Sequence, residues 1–220
     1  MTRPNIIKII CHDIGKHLGC YGVKSVNTNS IDSLAKEGIL FNNAFATSPG
    51  CSPSRAAIAT GRYPHNTGVL GLAHAHFGWS LDKKIKHIAK YFAANDYNSI
   101  LFGLQHVTYH EQTLGFNKIF PERPADHVVK NIEDSIDTKL FKKPFYAEVN
   151  FFEPHRPFDY GGVKPFRSKG VYIPKYIPNN RNIKKEFAAM QGAIKKMDES
   201  VGKIINILKK KNLYQNTIII

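Results

Sequence analysis

The chain of 220 residues has room for one sizeable domain core and little more. Hydrophobic residues make up 42% and charged residues 22%, as in ordinary globular proteins, but the formal net charge is +14. That balance suits a polyanionic partner or reflects a bias towards Lys, Asn and Ile. The basic residues are scattered and no nucleic-acid module pattern occurs, which sets nucleic-acid binding aside.

The β-branched run 5–11 predicts a central parallel strand ending in the polar turn His12-Asp13-Ile14-Gly15. It is too short for a signal-peptide core or a bilayer span, so neither secretion nor a membrane is expected. The cysteines, Cys11, Cys20 and Cys51, are three in number, which argues against a disulfide framework and for a reducing compartment. The expected location is the cytoplasm. Residues 30–37 predict a helix, with Thr28, Asn29 or Ser30 as cap and Gly38 as stop. A second strand is expected over 39–46, and a proline-started helix over 53–60, closed by Gly61.

Residues 81–95 carry Ile85, Ile88, Ala89 and Phe92 at helical spacing. Apolar runs at 99–102 and 145–152 read as strands. Pro154, Pro157, Pro165, Pro174 and Pro178 mark an irregular excursion over 153–182. The clearest helix spans 183–211, with Phe187, Met190, Ile194, Met197, Val201, Ile204 and Leu208 alternating by three and four. A last strand is expected at 217–220. This alternation predicts an α/β protein, a three-layer α/β/α sandwich with a mostly parallel central sheet, forming one catalytic-domain portion over 1–220. Functional groups in such sheets follow the carboxyl ends of strands, so a fold cut short on its C-terminal side is expected.

Pro49-Gly50-Cys51-Ser52-Pro53-Ser54-Arg55 is the most specific feature. A cysteine ahead of a proline-started helix faces the helix's free N–H groups and positive end, and Arg55 follows one turn later. Such a corner can hold an anion between backbone donors and a guanidinium; a buried structural cysteine is the alternative. Cys51-Ser52-Pro53-Ser54-Arg55, followed by Thr60-Gly61, resembles the C-x-P-S-R…TG hallmark of the formylglycine-dependent (type I) sulfatases. The resemblance extends along the chain: Arg3-Pro4-Asn5 at the first strand, Asn29 to Gly38 at the first helix, Glu153-Pro154-His155-Arg156-Pro157 for D-P-H-x-P, and Met197-Asp198 before the last strand. Residues 51–72 and 154–158 are most similar to the heparan N-sulfatase (N-sulfoglucosamine sulfohydrolase) branch.

The resemblance implies an alkaline-phosphatase-like fold and hydrolysis of sulfate esters or sulfamates, on a sugar or glycosaminoglycan. It implies that a formylglycine-generating maturation enzyme oxidises Cys51 to 3-oxoalanine (formylglycine), whose hydrated aldehyde is the nucleophile. Arg55, His106 and His155 would be catalytic and bind sulfate. Asp13, with His12 and the modified Cys51, would ligate a divalent metal, calcium by family. His74 and His76 lie where a sugar could approach, or are simply an exposed loop pair.

The pattern departs from the family in three places. His12 replaces the first of two aspartates, so it is either a strand-end turn residue or a ligand favouring manganese or another transition ion. Leu104 stands where the family has lysine, leaving Gln105 as a hydrogen-bond donor to sulfate. The family's later Asp-Asn ligand pair has no counterpart up to Ile220. Two alternatives stay open: a phosphodiester- or phosphate-hydrolysing relative of the same superfamily, and a catalytically inert truncated fragment that binds anionic glycan.

Overall fold

The β-branched run forms β1 (Asn5–Ile10), and four more strands join it: β2 (Asn98–Gly103), β3 (Lys118–Phe120), β4 (Phe145–Asn150) and β5 (Thr217–Ile219). A computed structural model describes residues 3–74, 76 and 78–220. All pairings are parallel, in the order β3-β2-β4-β1-β5, with Lys8 opposite Glu148 and Ile100 opposite Ala147. The helices are α1 (Asn29–Glu37), α2 (Cys51–Thr60), α3 (Ile88–Ala94), α4 (Ala125–Ser135) and α5 (Arg181–Lys210).

The period of two in each strand divides the sheet into unlike faces. Ile7, Ile100, Phe102, Phe145, Ala147 and Val149 pack with Val128 and Ile132 of α4 and with Ile194, Met197, Ile204 and Leu208 of α5. The opposite face carries Lys8, Tyr146 and Glu148, covered by α3, whose Phe92 stacks on Tyr146 at 4.5 Å. The expected α/β/α layering is therefore present.

That second face holds a buried ionic cluster. Glu148 accepts from the Tyr146 hydroxyl at 2.8 Å and from the Asn150 amide at 3.1 Å, and pairs with Lys8 at 2.7 Å. His87 closes it from the start of α3. Its Nδ1 accepts the Ala89 N–H at 3.1 Å, which leaves Nε2, 4.0 Å from Glu148, to carry the proton.

Local signals set some boundaries and distant ones set others. The predicted helix over 81–95 begins only at Ile88, because Asp82 draws in the Lys84 N–H and His87 supplies the cap. The predicted strand at 39–46 is irregular, with Ile39 83% and Phe45 86% exposed. Both edges of β1 are taken by β4 and β5, which leaves this segment no ladder to join there. None of the three predicted caps holds α1 by its side chain; Asp198 of α5 instead accepts from the Ser30 and Ile31 N–H groups.

The excursion over 153–182 contains one short 3-10 turn, Tyr160–Gly162, and lies against α5. The buried Gln191 clamps it: its amide donates to the Phe166 and Gly170 carbonyls at 3.0 Å and accepts from Tyr172 N and Ser25 Oγ. Each group left buried and unpaired costs about 1–3 kcal/mol. Gln191→Ala is therefore expected to lower the unfolding midpoint and open residues 157–180 to limited proteolysis, and unchanged cleavage would remove the clamp from this account.

Burial pushes His87 down to about 4, and Lys8 and the neighbouring donors hold Glu148 at about 2 despite its own burial. Both depressed values favour the folded state above the unfolded pKa and lose that contribution as pH falls. The His87 part disappears between 6.5 and about 4, and the Glu148 part between 4.5 and about 2. His87→Asn keeps a capping acceptor without an imidazole. It is expected to flatten the dependence of stability on pH in the upper window, as read from denaturant titrations at several pH values.

Candidate active site

Three neighbouring parallel strands, β2, β4 and β1, end on one edge of the sheet, and each delivers a site residue within a few positions. His12 and Asp13 follow β1, His106 follows β2 and His155 follows β4. The rings of His12 and His155 lie 5.1 Å apart, and those of His12 and His106 5.7 Å. Asp13 (φ 46°) and His106 (φ 65°) both occupy the left-handed region, which costs a non-glycine residue energy and marks a constrained position.

Gly103 makes the turn towards His106 possible. Its φ of 87° suits glycine, and a Cβ there would overlap the Asn150 carbonyl oxygen of β4. Beyond it, the Gln105 side chain holds the loop together. Its Oε1 accepts from Val107 N at 2.6 Å and Thr108 N at 3.2 Å, and its Nε2 donates to Thr108 O at 2.6 Å. The expected sulfate donor Gln105 thus spends its Oε1 and one of its two amide N–H groups within its own loop.

Helix α2 carries the other half of the site. Cys51 is its first residue, partly exposed and unpaired. Ser54 N bonds back to Gly50 O, and Pro53 has no N–H, so the Cys51 and Ser52 N–H groups remain at the helix mouth. Ser52, buried, accepts the Ala73 N–H at 3.1 Å and so pins the His74 loop to the helix. Arg55, 5% exposed, donates from Nη1 to the Leu104 carbonyl at 3.2 Å. Its Nη2 is buried with no hydrogen-bond partner among the described residues. Cys51 and Asp13 both lie within electrostatic range of this guanidinium. Cys11 is excluded as a nucleophile, because burial pushes its thiol up to about 12.

His74 belongs to the cluster, stacking on His106 with centroids 4.3 Å apart and its Nδ1 against His106 Nε2. Burial, helped by His74, His12 and Arg55, pushes His106 down to about 3, and burial also lowers His12. Both rings are therefore neutral near pH 7. His12 is 2% exposed, and neither ring nitrogen has a hydrogen-bond partner among the described residues, its Nδ1 lying 3.7 Å from Asp13 Oδ1. His76 falls between residues outside the description and is given no role.

The sulfatase family model matches residues 4–220. The chain belongs to the sulfatase family. An ulvan-active sulfatase of Formosa agariphila is 29% identical over 261 residues, covering 100% of this chain and 50% of that protein. Human N-sulphoglucosamine sulphohydrolase is 24% identical over 251 residues, again covering 100% of this chain and 50% of the relative. A structure from Bacteroides thetaiotaomicron, solved in work on the metabolism of multiple glycosaminoglycans, superposes with a TM-score of 0.84 at 19% identity, covering 99% of this chain and 60% of that one. The chain thus spans about half the length of the curated relatives it matches.

Two groups that the sulfatase family implies can be tested against these residues. Formylglycine fits, because Cys51 is unpaired, partly exposed and beside a buried cation. For the metal, His12, Asp13 and His155 bring their donor atoms within 4.8 Å of one another, two nitrogens and one carboxylate, a donor set less suited to calcium, which takes oxygens, than to a transition ion. Cys51, expected as a further ligand, is not in that cluster. Gly103→Ala should distort the His106 turn and lower stability by about 1–3 kcal/mol or more, measured by denaturant unfolding; full stability would mean that β4 yields to the added methyl group.

Proposed function

We propose that this sulfatase-family chain hydrolyses sulfate esters or sulfamates, carried on a sugar or glycosaminoglycan, through a formylglycine made from Cys51 by a maturation enzyme. The observation that carries this reading is the buried Arg55, with Nη2 unpartnered beside the N-terminal mouth of α2. A buried charged donor without a partner is costly, and an anion relieves it. The named relatives, one acting on ulvan and one on N-sulphoglucosamine, support a sulfated glycan as substrate. Unpaired cysteines at 11, 20 and 51 support a reducing compartment, the cytoplasm. No helix among the described residues is long and apolar enough to cross a membrane.

Formylglycine at position 51 would supply a hydrated aldehyde as the nucleophile. Arg55 receives one sulfate oxygen at Nη2, and the Cys51 and Ser52 N–H groups receive another. Nη1 stays on the Leu104 carbonyl and fixes the plane of the fork. His106, kept neutral by burial, has its Nδ1 buried and unpaired, where it can accept a hydrogen bond from the hydrate hydroxyl, and its Nε2 is held by His74, which lies at the surface.

The test is co-expression with a formylglycine-generating enzyme, mass spectrometry of residue 51 and sulfate release from aryl sulfates and sulfated oligosaccharides. Cys51→Ala is expected to reduce kcat by roughly 10^4-fold or more. Arg55→Lys, which loses the fork, is expected to reduce kcat/KM by about 10^2- to 10^3-fold. Phosphodiester turnover that survives Cys51→Ala, or sulfate release unaffected by it, would falsify the assignment.

A further inference from the structure

The donor set facing His12 differs in kind from an oxygen cage. His155 Nδ1 lies against the Arg156 carbonyl, which can only accept, so this nitrogen carries the proton. His155 Nε2 lies 3.6 Å from Asp13 Oδ2. His12 Nδ1 stands 3.7 Å from Asp13 Oδ1, and neither of its nitrogens has a closer partner among the described residues. Two imidazoles and a carboxylate thus converge, their donor atoms within 4.8 Å of one another. His12 is 2% exposed, too deep for water to satisfy it freely.

We propose that His12, Asp13 and His155 form a two-histidine, one-carboxylate site for a divalent transition ion of the zinc type rather than calcium. Imidazole nitrogens favour zinc, iron and their neighbours, and a neutral ring with its second nitrogen bonded to a backbone carbonyl is the usual form of such a ligand. Metal–ligand bonds of about 2.0–2.2 Å reach donor atoms up to about 4.3 Å apart. The present spread of 4.8 Å closes with small side-chain shifts.

The site shares its pocket with the sulfatase reading, but direct metal binding needs no turnover, so either can fail without the other. The full chain, stripped with a chelator, is titrated with Co2+ and followed by visible absorption, then challenged with Zn2+ and with Ca2+. One equivalent of Co2+ with nitrogen-ligand bands is expected, displaced by Zn2+ and unaffected by millimolar Ca2+. Loss of an outer partner already weakens metal binding about 10- to 100-fold, so His12→Ala and His155→Ala should each weaken Zn2+ by at least about 100-fold. The distant, exposed His127 serves as control, and His127→Ala should change nothing.

His12→Asp guards against misfolding, because it predicts a gain: Ca2+ affinity rises and Zn2+ affinity falls, each at least tenfold. Three results would overturn the proposal. The wild-type chain could bind Ca2+ as tightly as Zn2+. Zn2+ could bind equally well to His12→Ala and His155→Ala, which would place it elsewhere. Neither Co2+ nor Zn2+ could bind at all, which would leave His155 and Asp13 as a simple ion pair.

Discussion

A hydrogen bond from a buried charge joins the two halves of the site. Arg55 Nη1 donates to the Leu104 carbonyl, tying the helix that begins at Cys51 directly to the loop that leaves β2. The other ties are packing of Ala56, Val69, Val107 and Leu114 and the link through Ser52, Ala73 and His74. Through the Arg55 bond, one end of a charged fork is fixed and the other is directed at the pocket. The contact uses the backbone oxygen of residue 104, so it does not depend on the Leu104 side chain.

A buried guanidinium needs a balancing field, and the sheet provides one from below. Glu148, on the polar face of β4, is the strongest favourable charge acting on Arg55, ahead of Cys51, Cys11 and Asp13. Lys8, Tyr146 and Asn150 hold Glu148 ionised within that layer. The second face of the sheet is thus a polar layer under the site rather than a second hydrophobic core. Such a cluster is weak support for stability in itself, and its role here is to fix charge beneath the pocket.

Much of this was legible in the sequence because it depends on local pattern. The strands at 5–11, 99–102 and 145–152 were readable as apolar runs. The roles of Asp13, His106 and His155 came from the resemblance to the sulfatase pattern, which also decided between an anion corner and a structural cysteine at Cys51 and Arg55. What escaped depends on contacts far apart in the chain. Asp198 caps α1 from 168 positions away, and Glu153 binds the first N–H of α4 from 28 positions away. Helix α4 was missed, although Val128, Val129, Ile132 and Ile136 have helical spacing; its cap lies outside its own sequence. The loop contacts of Gln105 were not readable because residue type does not show where an amide is engaged. The run at 39–46 misled because strand-like residues need a free edge as well as a pattern.

The charge of +14 acts on a different length scale from the site. Several basic residues of α5 and its end are matched locally: Lys195 by Glu199, Lys196 and Lys203 by Asp126, and Lys211 by Asp137. Asp126 lies on α4 and Asp137 just after it, so part of the basic excess holds one helix layer together. The remainder is spread over the surface, where salt screens it within about 8 Å. Such a field can speed the approach of a polyanion, but it cannot choose which sulfate enters. In the proposed function that choice falls to groups in direct contact with the anion, where Arg55 is buried and its Nη2 has no hydrogen-bond partner among the described residues.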